Sequence, residues 1–432
     1  MSNLIFALAS AKGRAGVSVI RISGPNAILT IENFVGPKLP MAGRSLRKIR
    51  DLNSVFIDEV LVLTFQKNSS FTGEEVVEIH CHGSVAVVAY ILKILDELEH
   101  VRLAEPGEFT KRALENGKLD LVQVEGLADL IEAETEAQRR LAARAMEGAL
   151  SAKVAIWRSD LIRAVSLIEA TIDFADEDIP TNVTPEVLEL VNRTQTDLEA
   201  EIAGTFAAER IREGFEVAIV GPPNIGKSTL LNALAGREAS IISEIAGTTR
   251  DIIEVRMDIG GLAVTLLDTA GLRETIDTVE KIGVDRARSR AESADLRVFL
   301  TESGVVTDVK MKPKLEDIIL IGKSDLIEFN KISSISGKSG AGLDELISKI
   351  SSTLELRSQG TQTATRERHR IAMVQAQKYL NAGKNLMLEK SEVSELASAE
   401  FHQGISMLSS LIGVVGVEDL LDEIFSSFCL GK

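Results

Sequence analysis

One short segment limits the fold of this chain more than any other. Residues 221–228 read Gly-Pro-Pro-Asn-Ile-Gly-Lys-Ser and match the phosphate-binding pattern G-x-x-x-x-G-K-[ST]. The apolar run Phe215–Val220 comes directly before this pattern and predicts a buried strand, and a helical stretch follows it. In that setting backbone N–H groups wrap the β-phosphate, Lys227 reaches the β- and γ-phosphate oxygens, and the Ser228 hydroxyl ligates Mg²⁺. The segment therefore predicts a strand–loop–helix unit that binds a nucleoside triphosphate.

Two further segments follow in the order that nucleotide hydrolysis requires. Thr248 and Thr249 lie about 20 residues beyond the phosphate loop, where a switch threonine can complete the Mg²⁺ shell. Asp268 ends a predicted strand and can support Mg²⁺, and the N–H group of Gly271 can reach the γ-phosphate. Lys227 and Gly271 are therefore the expected contacts to the reacting phosphate.

The predicted base-reading loop departs from the usual Asn-Lys-x-Asp pattern at one position. It reads Lys323-Ser324-Asp325, and the Asp325 carboxylate can accept two hydrogen bonds from guanine that adenine cannot supply. Gly322 stands in the position of the asparagine whose amide usually braces this loop against the phosphate loop. We therefore expect Asp325 to select guanine with lowered affinity, and Gly322→Asn to tighten binding by about 1 kcal/mol.

The motifs occur in the order expected of a GTPase, with residues 336–338 (Ser-Gly-Lys) as the last nucleotide loop. The predicted guanine-nucleotide contacts are Asn224, Ile225, Gly226, Lys227, Ser228, Thr229, Ser243, Thr248, Thr249, Asp268, Gly271, Lys323, Asp325, Ser336, Gly337 and Lys338. Leu272 stands where many GTPases place a glutamine that orients the attacking water, and an apolar side chain cannot do this. Hydrolysis therefore needs another device, either Glu274 or Glu280, or a monovalent cation near Asn224.

Changes in residue composition along the chain predict a multidomain protein with both α/β and all-α parts. Residues 1–118 have the pattern of a mixed α/β domain, and 213–357 that of an inserted, Ras-like P-loop domain with a doubly wound sheet. Residues 119–212 and 358–432 are rich in helix formers and are predicted to be two segments of one helical domain.

Composition limits the class of protein and its environment. The net charge of −16 argues against a protein that coats nucleic acid non-specifically. Cys81 and Cys429 are too few for a disulfide framework, which favours a reducing compartment. The longest strongly apolar run, at residues 85–92, is much shorter than the roughly 20 residues that span a bilayer. We therefore expect a cytoplasmic protein with no membrane contact.

Several motifs outside the nucleotide loops resemble one family over essentially the whole chain. They lie at residues 19–24 (VIRISG), 71–78 (FTGEEVVE), 105–110 (EPGEFT), 116–121 (NGKLDL) and 428–432 (FCLGK). Joined to an inserted GTPase domain, they resemble the MnmE (TrmE) family of tRNA-modification GTPases. The phosphate loop with Asn224 and the segment 247–251 are also similar to that family.

The resemblance implies a specific activity and specific partners. Members of the family work with a flavin-dependent partner, MnmG, in a heterotetramer or larger assembly that takes tRNA as its substrate. The complex installs an aminomethyl-type (carboxymethylaminomethyl) group on C5 of the wobble uridine, position 34. The amino-terminal domain binds 5-formyl- or 5,10-methylene-tetrahydrofolate and makes the homodimer contact. K⁺-dependent dimerisation of the GTPase domains accompanies GTP hydrolysis, which drives the cycle.

The resemblance also implies roles for particular residues. The folate contacts are Arg21, Glu78, Lys118 and Lys432, and the Mg²⁺ ligands are Ser228 and Thr249. The K⁺ ligands are Asn224, Ser243, Ile245 and Thr248. Glu280 matches the family's catalytic glutamate, which positions water, and Cys429 lies near the expected one-carbon site.

Other interpretations of these residues stay open from the sequence. Arg21 can cap a turn beside Ser23 and Gly24, and Glu78 can be a solvated strand residue. His80-Cys81-His82 resembles a metal cluster, but neighbouring strand residues point to alternate faces, which argues against zinc. A GTPase for ribosome assembly and a folate-dependent aminomethyltransferase with an added GTPase domain are the two competing functions.

Overall fold

The computed structural model describes residues 4–173, 183–237, 254–268, 288–306, 311–326, 333–360, 362–389, 394–413, 424–425, 428 and 431. The chain forms two compact units, Met1–Ala128 with Ser409–Lys432, and Asp129–Leu408. No helix in the ranges above is long and apolar enough to cross a membrane. The four-segment division drawn from the sequence stays a prediction.

The first unit is built on a six-stranded sheet. Its strands are β1 (Leu4–Leu8), β2 (Ala15–Ser23), β3 (Gly43–Arg50), β4 (Phe56–Phe65), β5 (Val76–Gly83) and β6 (Val101–Leu103). The strand order is β3-β4-β5-β2-β1-β6, and all neighbours are antiparallel except β1 and β6. The helices along this part of the chain are α1 (Ala27–Val35), α2 (Val85–Asp96), α3 (Glu108–Glu115) and α4 (Leu121–Glu132).

The two faces of this sheet differ in character because side chains alternate along each strand. On one face Ile20, Val62 and Ile79 are fully buried against Ile31 of α1 and Ile91 of α2. The other face carries both polar and apolar side chains in rows, since directly paired residues share a face. One such row runs Ala7, Arg21, Glu78, Leu63, Arg44.

Helices make up the part of the second unit that precedes and follows the inserted sheet. They are α5 (Glu136–Met146), α6 (Ala149–Asp173), α7 (Thr184–Glu213), α11 (Glu367–Glu389) and α12 (Ser394–Leu411). Helix α5 begins at a capping box in which Thr135 and Gln138 satisfy each other's backbone N–H groups. Leu141 of α5 and Ile211 of α7 share one hydrophobic core with the strands of the inserted sheet.

A buried carboxylate fastens the chain where it leaves the insert. Glu201 of α7 is fully buried and accepts a hydrogen bond from Lys153 at 2.5 Å. Its other oxygen accepts from the N–H groups of Thr363 and Ala364 at 2.9 and 3.1 Å. Arg212, near the end of α7, donates to the Thr365 carbonyl oxygen at 3.3 Å. The chain therefore enters and leaves the insert at neighbouring points.

The insert is a five-stranded sheet with helices on both faces. Its elements are β7 (Phe215–Val220), α8 (Lys227–Arg237), β8 (Glu254–Ile259), β9 (Leu262–Asp268), α9 (helical at residues 288–293), β10 (Leu296–Thr301), β11 (Ile318–Ile321) and α10 (Leu343–Arg357). The order is β11-β10-β7-β9-β8, parallel except for β8. This confirms the predicted doubly wound α/β fold, in which ligands bind at the carboxyl ends of the strands.

Candidate nucleotide-binding site

The phosphate loop joins β7 to α8, as the sequence predicts. Asn224 has a φ of 63°, in the left-handed region that asparagine tolerates better than most residues. Lys227 is 6% exposed, and its ammonium group donates to the carbonyl oxygens of Gly221 and Pro222 at 2.9 and 3.1 Å. The amino terminus of α8 and this buried cation together make the loop suitable for phosphate.

A hydroxyl and a carboxylate meet beside the loop. Ser228, in the first turn of α8, donates through Oγ to Oδ2 of Asp268 at 2.6 Å. Asp268 is the last residue of β9, so the parallel pairing of β7 and β9 brings the two side chains to the same edge of the sheet. Oxygen donors of these two kinds are the ligands that Mg²⁺ prefers, and the pair therefore fits the predicted metal role.

The carboxylate of the base-reading loop is held in place by the last nucleotide loop. Ser336 donates through Oγ to Oδ1 of Asp325 at 2.6 Å. This hydrogen bond is the main reason that the pKa of Asp325 lies below its ordinary value. The N–H groups of Lys338 and Ser339 in turn donate to the Ser336 hydroxyl, each at 3.2 Å. Asp325 is therefore ionised and oriented, as recognition of guanine N1 and N2 requires.

A cavity of about 280 Å³ lies between the phosphate loop and the two base loops. Its lining includes Asn224, Ile225, Gly226, Thr229, Leu230, Leu300, Gly322, Lys323, Asp325, Leu326, Ile335, Ser336, Gly337 and Lys338. A Cβ atom on Gly337 would lie 2.8 Å from backbone atoms of Thr229 and Leu230. The last loop thus packs directly on the start of α8, and only glycine allows so close an approach.

Part of the predicted site lies outside the residues that the structure describes. The residues concerned are Ser243, Ile245, Thr248, Thr249, Gly271, Glu280 and Lys432, together with Leu272, Glu274 and Cys429. Their predicted roles in Mg²⁺, K⁺ and folate binding and in water positioning stay predictions.

The predicted folate residues Arg21 and Glu78 contact each other on the row of paired strands described above. Arg21 donates through Nε to Oε1 of Glu78 at 2.9 Å, and its side chain is 20% exposed. The guanidinium carbon lies 5.6 Å from the ring centroid of Phe71 and 5.7 Å from that of Phe109. The hydrogen-bonded partner of Arg21 is thus a carboxylate on the neighbouring strand, not the turn at Ser23.

Lys118 follows α3 and contacts the loop that contains Phe71. Its ammonium group donates to the carbonyl oxygen of Asn68 at 2.5 Å, and the residue is exposed. Asn116 donates to the Thr72 carbonyl oxygen at 2.7 Å and ties the same loop to the end of α3. The structure therefore links Lys118 to the loop at 68–73 and links Arg21 to Glu78.

The histidine–cysteine–histidine segment has the alternating orientation that the sequence predicts. Cys81 is buried, while His80 contacts Glu78 at 3.3 Å and His82 contacts Asp58 at 2.8 Å. Burial, its largest cause, raises the pKa of the Cys81 thiol. Among the described residues no group of three or more His, Cys, Asp or Glu side chains could hold a metal ion.

Comparisons with known proteins cover both parts of the chain. Residues 4–118 match a family described as the GTP-binding protein TrmE N-terminus, and residues 121–429 match the MnmE helical domain. The tRNA modification GTPase MnmE of Ruegeria pomeroyi is 55% identical over 428 residues, which are 99% of each chain. The chain belongs to the MnmE family.

Other relatives agree with this membership. The MnmE protein of Roseobacter denitrificans is 56% identical over 428 residues, again 99% of each chain. A solved structure of Era with MgGDPNP and a fragment of 16S ribosomal RNA shares 29% identity, over 42% of this chain and 69% of Era. The TM-score between the two structures is 0.26. The predicted resemblance to the family of tRNA modification GTPases is thus confirmed.

Some neighbours of the predicted residues were not expected from the sequence. Phe71 and Phe109 flank Arg21, and His80 shares the Glu78 carboxylate with it. Phe71 lies in the loop before β5 and Phe109 lies in α3, so their contacts with Arg21 depend on tertiary packing that no local motif marks. The alternation of polar residues along β5 is the one signal that places Glu78, His80 and His82 on a common face.

Proposed function

We propose that this chain hydrolyses GTP to GDP and phosphate as the GTPase subunit of a tRNA-modifying complex. The observation that carries the proposal is the meeting of Lys227, Ser228 and Asp268 beside a cavity that ends at Asp325. Membership of the MnmE family supports tRNA as the substrate of the complex.

The described residues divide the work of nucleotide binding between them. Lys227 sits over the phosphate loop and can turn from its carbonyl partners to the β- and γ-phosphate oxygens. Ser228, together with Thr249, would hold Mg²⁺ with support from Asp268, and the ion supplies positive charge to the phosphates when bound. Asp325, oriented by Ser336, accepts from guanine. Each group binds or orients, which is what phosphoryl transfer requires of a protein.

Two further roles, the positioning of the attacking water and the stabilisation of the charge that develops during hydrolysis, need other residues. We assign the water-positioning role to Glu280, because it matches the catalytic glutamate of the family and Leu272 cannot orient water. A K⁺ ion held by Asn224, Ser243, Ile245 and Thr248 would stabilise the developing charge and join the GTPase domains of a homodimer. Asn224 is the one described member of this set, and its backbone is in the left-handed region.

The amino-terminal unit is the proposed folate site and dimer contact. Arg21, Glu78, Lys118 and Lys432 are the proposed contacts for 5-formyl- or 5,10-methylene-tetrahydrofolate. Their chemistry is suitable, because a pterin edge offers donors to a carboxylate and a glutamate tail needs cations. The partner would be the flavin-dependent MnmG, and the product an aminomethyl-type group on C5 of the wobble uridine.

The cation requirement gives a direct test of the GTPase mechanism. We expect turnover to rise at least tenfold when K⁺ replaces Na⁺, since charge from an arginine finger is worth about 10³–10⁵ in rate. Asn224→Gly keeps a left-handed backbone accessible while removing the side-chain ligand, and should lose most of the K⁺ response. Equal turnover of the wild-type chain in the two salts would contradict the K⁺ role.

Two further measurements separate the proposed function from its competitors. Titration calorimetry of the full chain with 5-formyl-tetrahydrofolate should show binding, which a GTPase for ribosome assembly does not require. Nucleoside analysis of tRNA from cells that lack the chain should show loss of the modified wobble uridine. Retention of that nucleoside would leave the folate-dependent aminomethyltransferase as the better interpretation.

A further inference from the structure

The base-reading loop and the phosphate loop touch at one point beside the nucleotide cavity. A Cβ atom on Gly322 would lie 3.0 Å from the carbonyl oxygen of Ile225. It would lie 3.3 Å from Cγ1 and 3.5 Å from Cδ1 of the same isoleucine. Non-bonded carbon atoms prefer separations of about 3.5–4.0 Å, so the Ile225 side chain already fills the space beside position 322.

The backbone of Gly322 gives no other reason for glycine. Its φ is not among the positive values of the described residues, whereas the next residue, Lys323, has a φ of 57°. The N–H group of Gly322 donates to the Thr301 carbonyl oxygen at 3.0 Å, which fixes the end of β11 against β10. The space for a side chain at position 322 is therefore limited by the carbonyl oxygen and the side chain of Ile225 and not by backbone strain.

Ile225 is held firmly in this place. It is 3% exposed, and its Cγ2 atom would lie 3.1 Å from a Cβ atom on Gly221, at the other end of the phosphate loop. The isoleucine therefore lies between two glycines, Gly221 in the same loop and Gly322 in the base-reading loop. Truncation of the Ile225 side chain would leave an empty space between positions 221 and 322.

We propose that Ile225 and Gly322 form a size-matched pair in which the isoleucine side chain braces the base-reading loop against the phosphate loop. Ile225 is a positioning residue: it keeps Asp325 and the phosphate loop at a fixed separation, as an asparagine amide would do by hydrogen bonding. This inference rests on the proposed function, in which a guanine nucleotide occupies the cavity. It reverses the sign expected from the sequence, because an asparagine at 322 must displace Ile225.

The test is a double-mutant cycle on the full chain, read as Kd for GDP. Gly322→Asn alone should weaken GDP binding about tenfold or more, since overpacking displaces the loops. Ile225→Ala alone should weaken it because the brace is lost. The double variant should recover to within about threefold of the wild type, because the asparagine atoms beyond Cβ can then take the space of the isoleucine side chain, and the Ile225 carbonyl oxygen 3.0 Å from Cβ needs only a small shift. Gly236→Asn is the control, since a Cβ atom there has no neighbour within 4 Å.

Each outcome of the cycle decides one question. Recovery in the double variant, with the GDP-to-ADP preference unchanged throughout, supports a pair that positions the loop without reading the base. Tighter GDP binding by Gly322→Asn, or two losses that simply multiply, would overturn the pair. If Gly322→Asn does not fold, Gly322→Ala with and without Ile225→Ala tests the same contact. A wild-type chain that binds no GDP would contradict the proposed function instead.

Discussion

In the nucleotide site the reactive side chains come from turns that follow strands of one parallel sheet, whereas Arg21 and Glu78 lie within neighbouring antiparallel strands. The first arrangement brings Ser228 to Asp268 through the strand ends. The second brings Arg21 to Glu78 through strand register. The two sites also differ in the partners of their cations: Lys227 donates to backbone carbonyl oxygens of its own loop, whereas Arg21 is paired with the Glu78 carboxylate. As proposed folate contacts, Arg21 and Glu78 would have to exchange each other for a ligand.

The largest effect on GTP hydrolysis should come from the phosphate loop. Lys227→Ala should lower kcat/KM for GTP by about 10²–10³, since one donor to developing charge is worth that much. Lys349→Ala, an exposed lysine on α10, is the matched control and should be unchanged. Steady-state phosphate release measures both. Wild-type turnover in the Lys227 variant would remove the strand-end site from the comparison.

The next effect concerns the choice of base. Asp325→Asn should weaken GDP by about two to four orders of magnitude, because two hydrogen bonds to a charged group are lost at about 1.5–3 kcal/mol each. Xanthosine diphosphate should gain, since its C2 carbonyl can accept from the new amide. Ser336→Ala should weaken GDP less, because it removes only the donor that orients Asp325. If the ratio of GDP affinity to xanthosine diphosphate affinity is the same in Asp325→Asn and the wild type, Asp325 does not read the base.

The amino-terminal site should respond more weakly. Arg21→Ala should weaken 5-formyl-tetrahydrofolate by about 1.5–3 kcal/mol if the guanidinium contacts the ligand. Arg44→Ala is the control, because Arg44 lies on the same face and row beyond Leu63. Calorimetry with folate affinity equal in wild type and Arg21→Ala would mean that Arg21 only holds Phe71 and Glu78 in place.

The smallest effect is a difference in acid stability. Burial raises the pKa of Glu108, but hydrogen bonds from Arg102, the Glu105 N–H group and Arg112 outweigh it and leave the pKa below 4.5. A carboxyl with a lowered folded-state pKa stabilises the protein above its ordinary pKa, and this contribution is lost as pH falls through the lowered value. The Tm of Glu108→Gln should therefore lie below that of the wild type near neutral pH. This difference should shrink by about 2–4 °C as the pH falls below 4.5.

The second unit supplies the opposite case and a control for that measurement. Burial raises the pKa of Asp295 above 3.8, so its contribution to stability is present below that value and is lost as pH rises. The Asp295→Asn variant should therefore lose stability on acidification as the wild type does. Identical pH profiles for the Glu108 and Asp295 variants would contradict both assignments.

How far the sequence predicted the molecule follows from the same contrast. The phosphate loop, Asp268 and Asp325 could be placed because each is a short motif at the end of an apolar run. Their convergence follows from the order of strands in a doubly wound sheet. Fold class and family were therefore within reach of the sequence.

The contacts that the sequence could not supply depend on register and on packing. The Arg21–Glu78 pair requires the alignment of β2 with β5, and a shift of one residue would place the two side chains on opposite faces. The contact of Ile225 with Gly322 depends on the separation of two loops, which no motif encodes. The sequence and the proposed pair accordingly predict opposite signs for the effect of Gly322→Asn on GDP affinity.

The hydrogen bond from Arg212 to the Thr365 carbonyl oxygen bears on how this chain can be taken apart and rebuilt. This bond joins a side chain just before the insert to the backbone just after it, so a short linker could connect the two chain ends after removal of the insert. Removal would also expose Leu141 and Ile211, which share one hydrophobic core with the strands of the insert. A deletion that leaves the helices folded would therefore need polar replacements at these two positions.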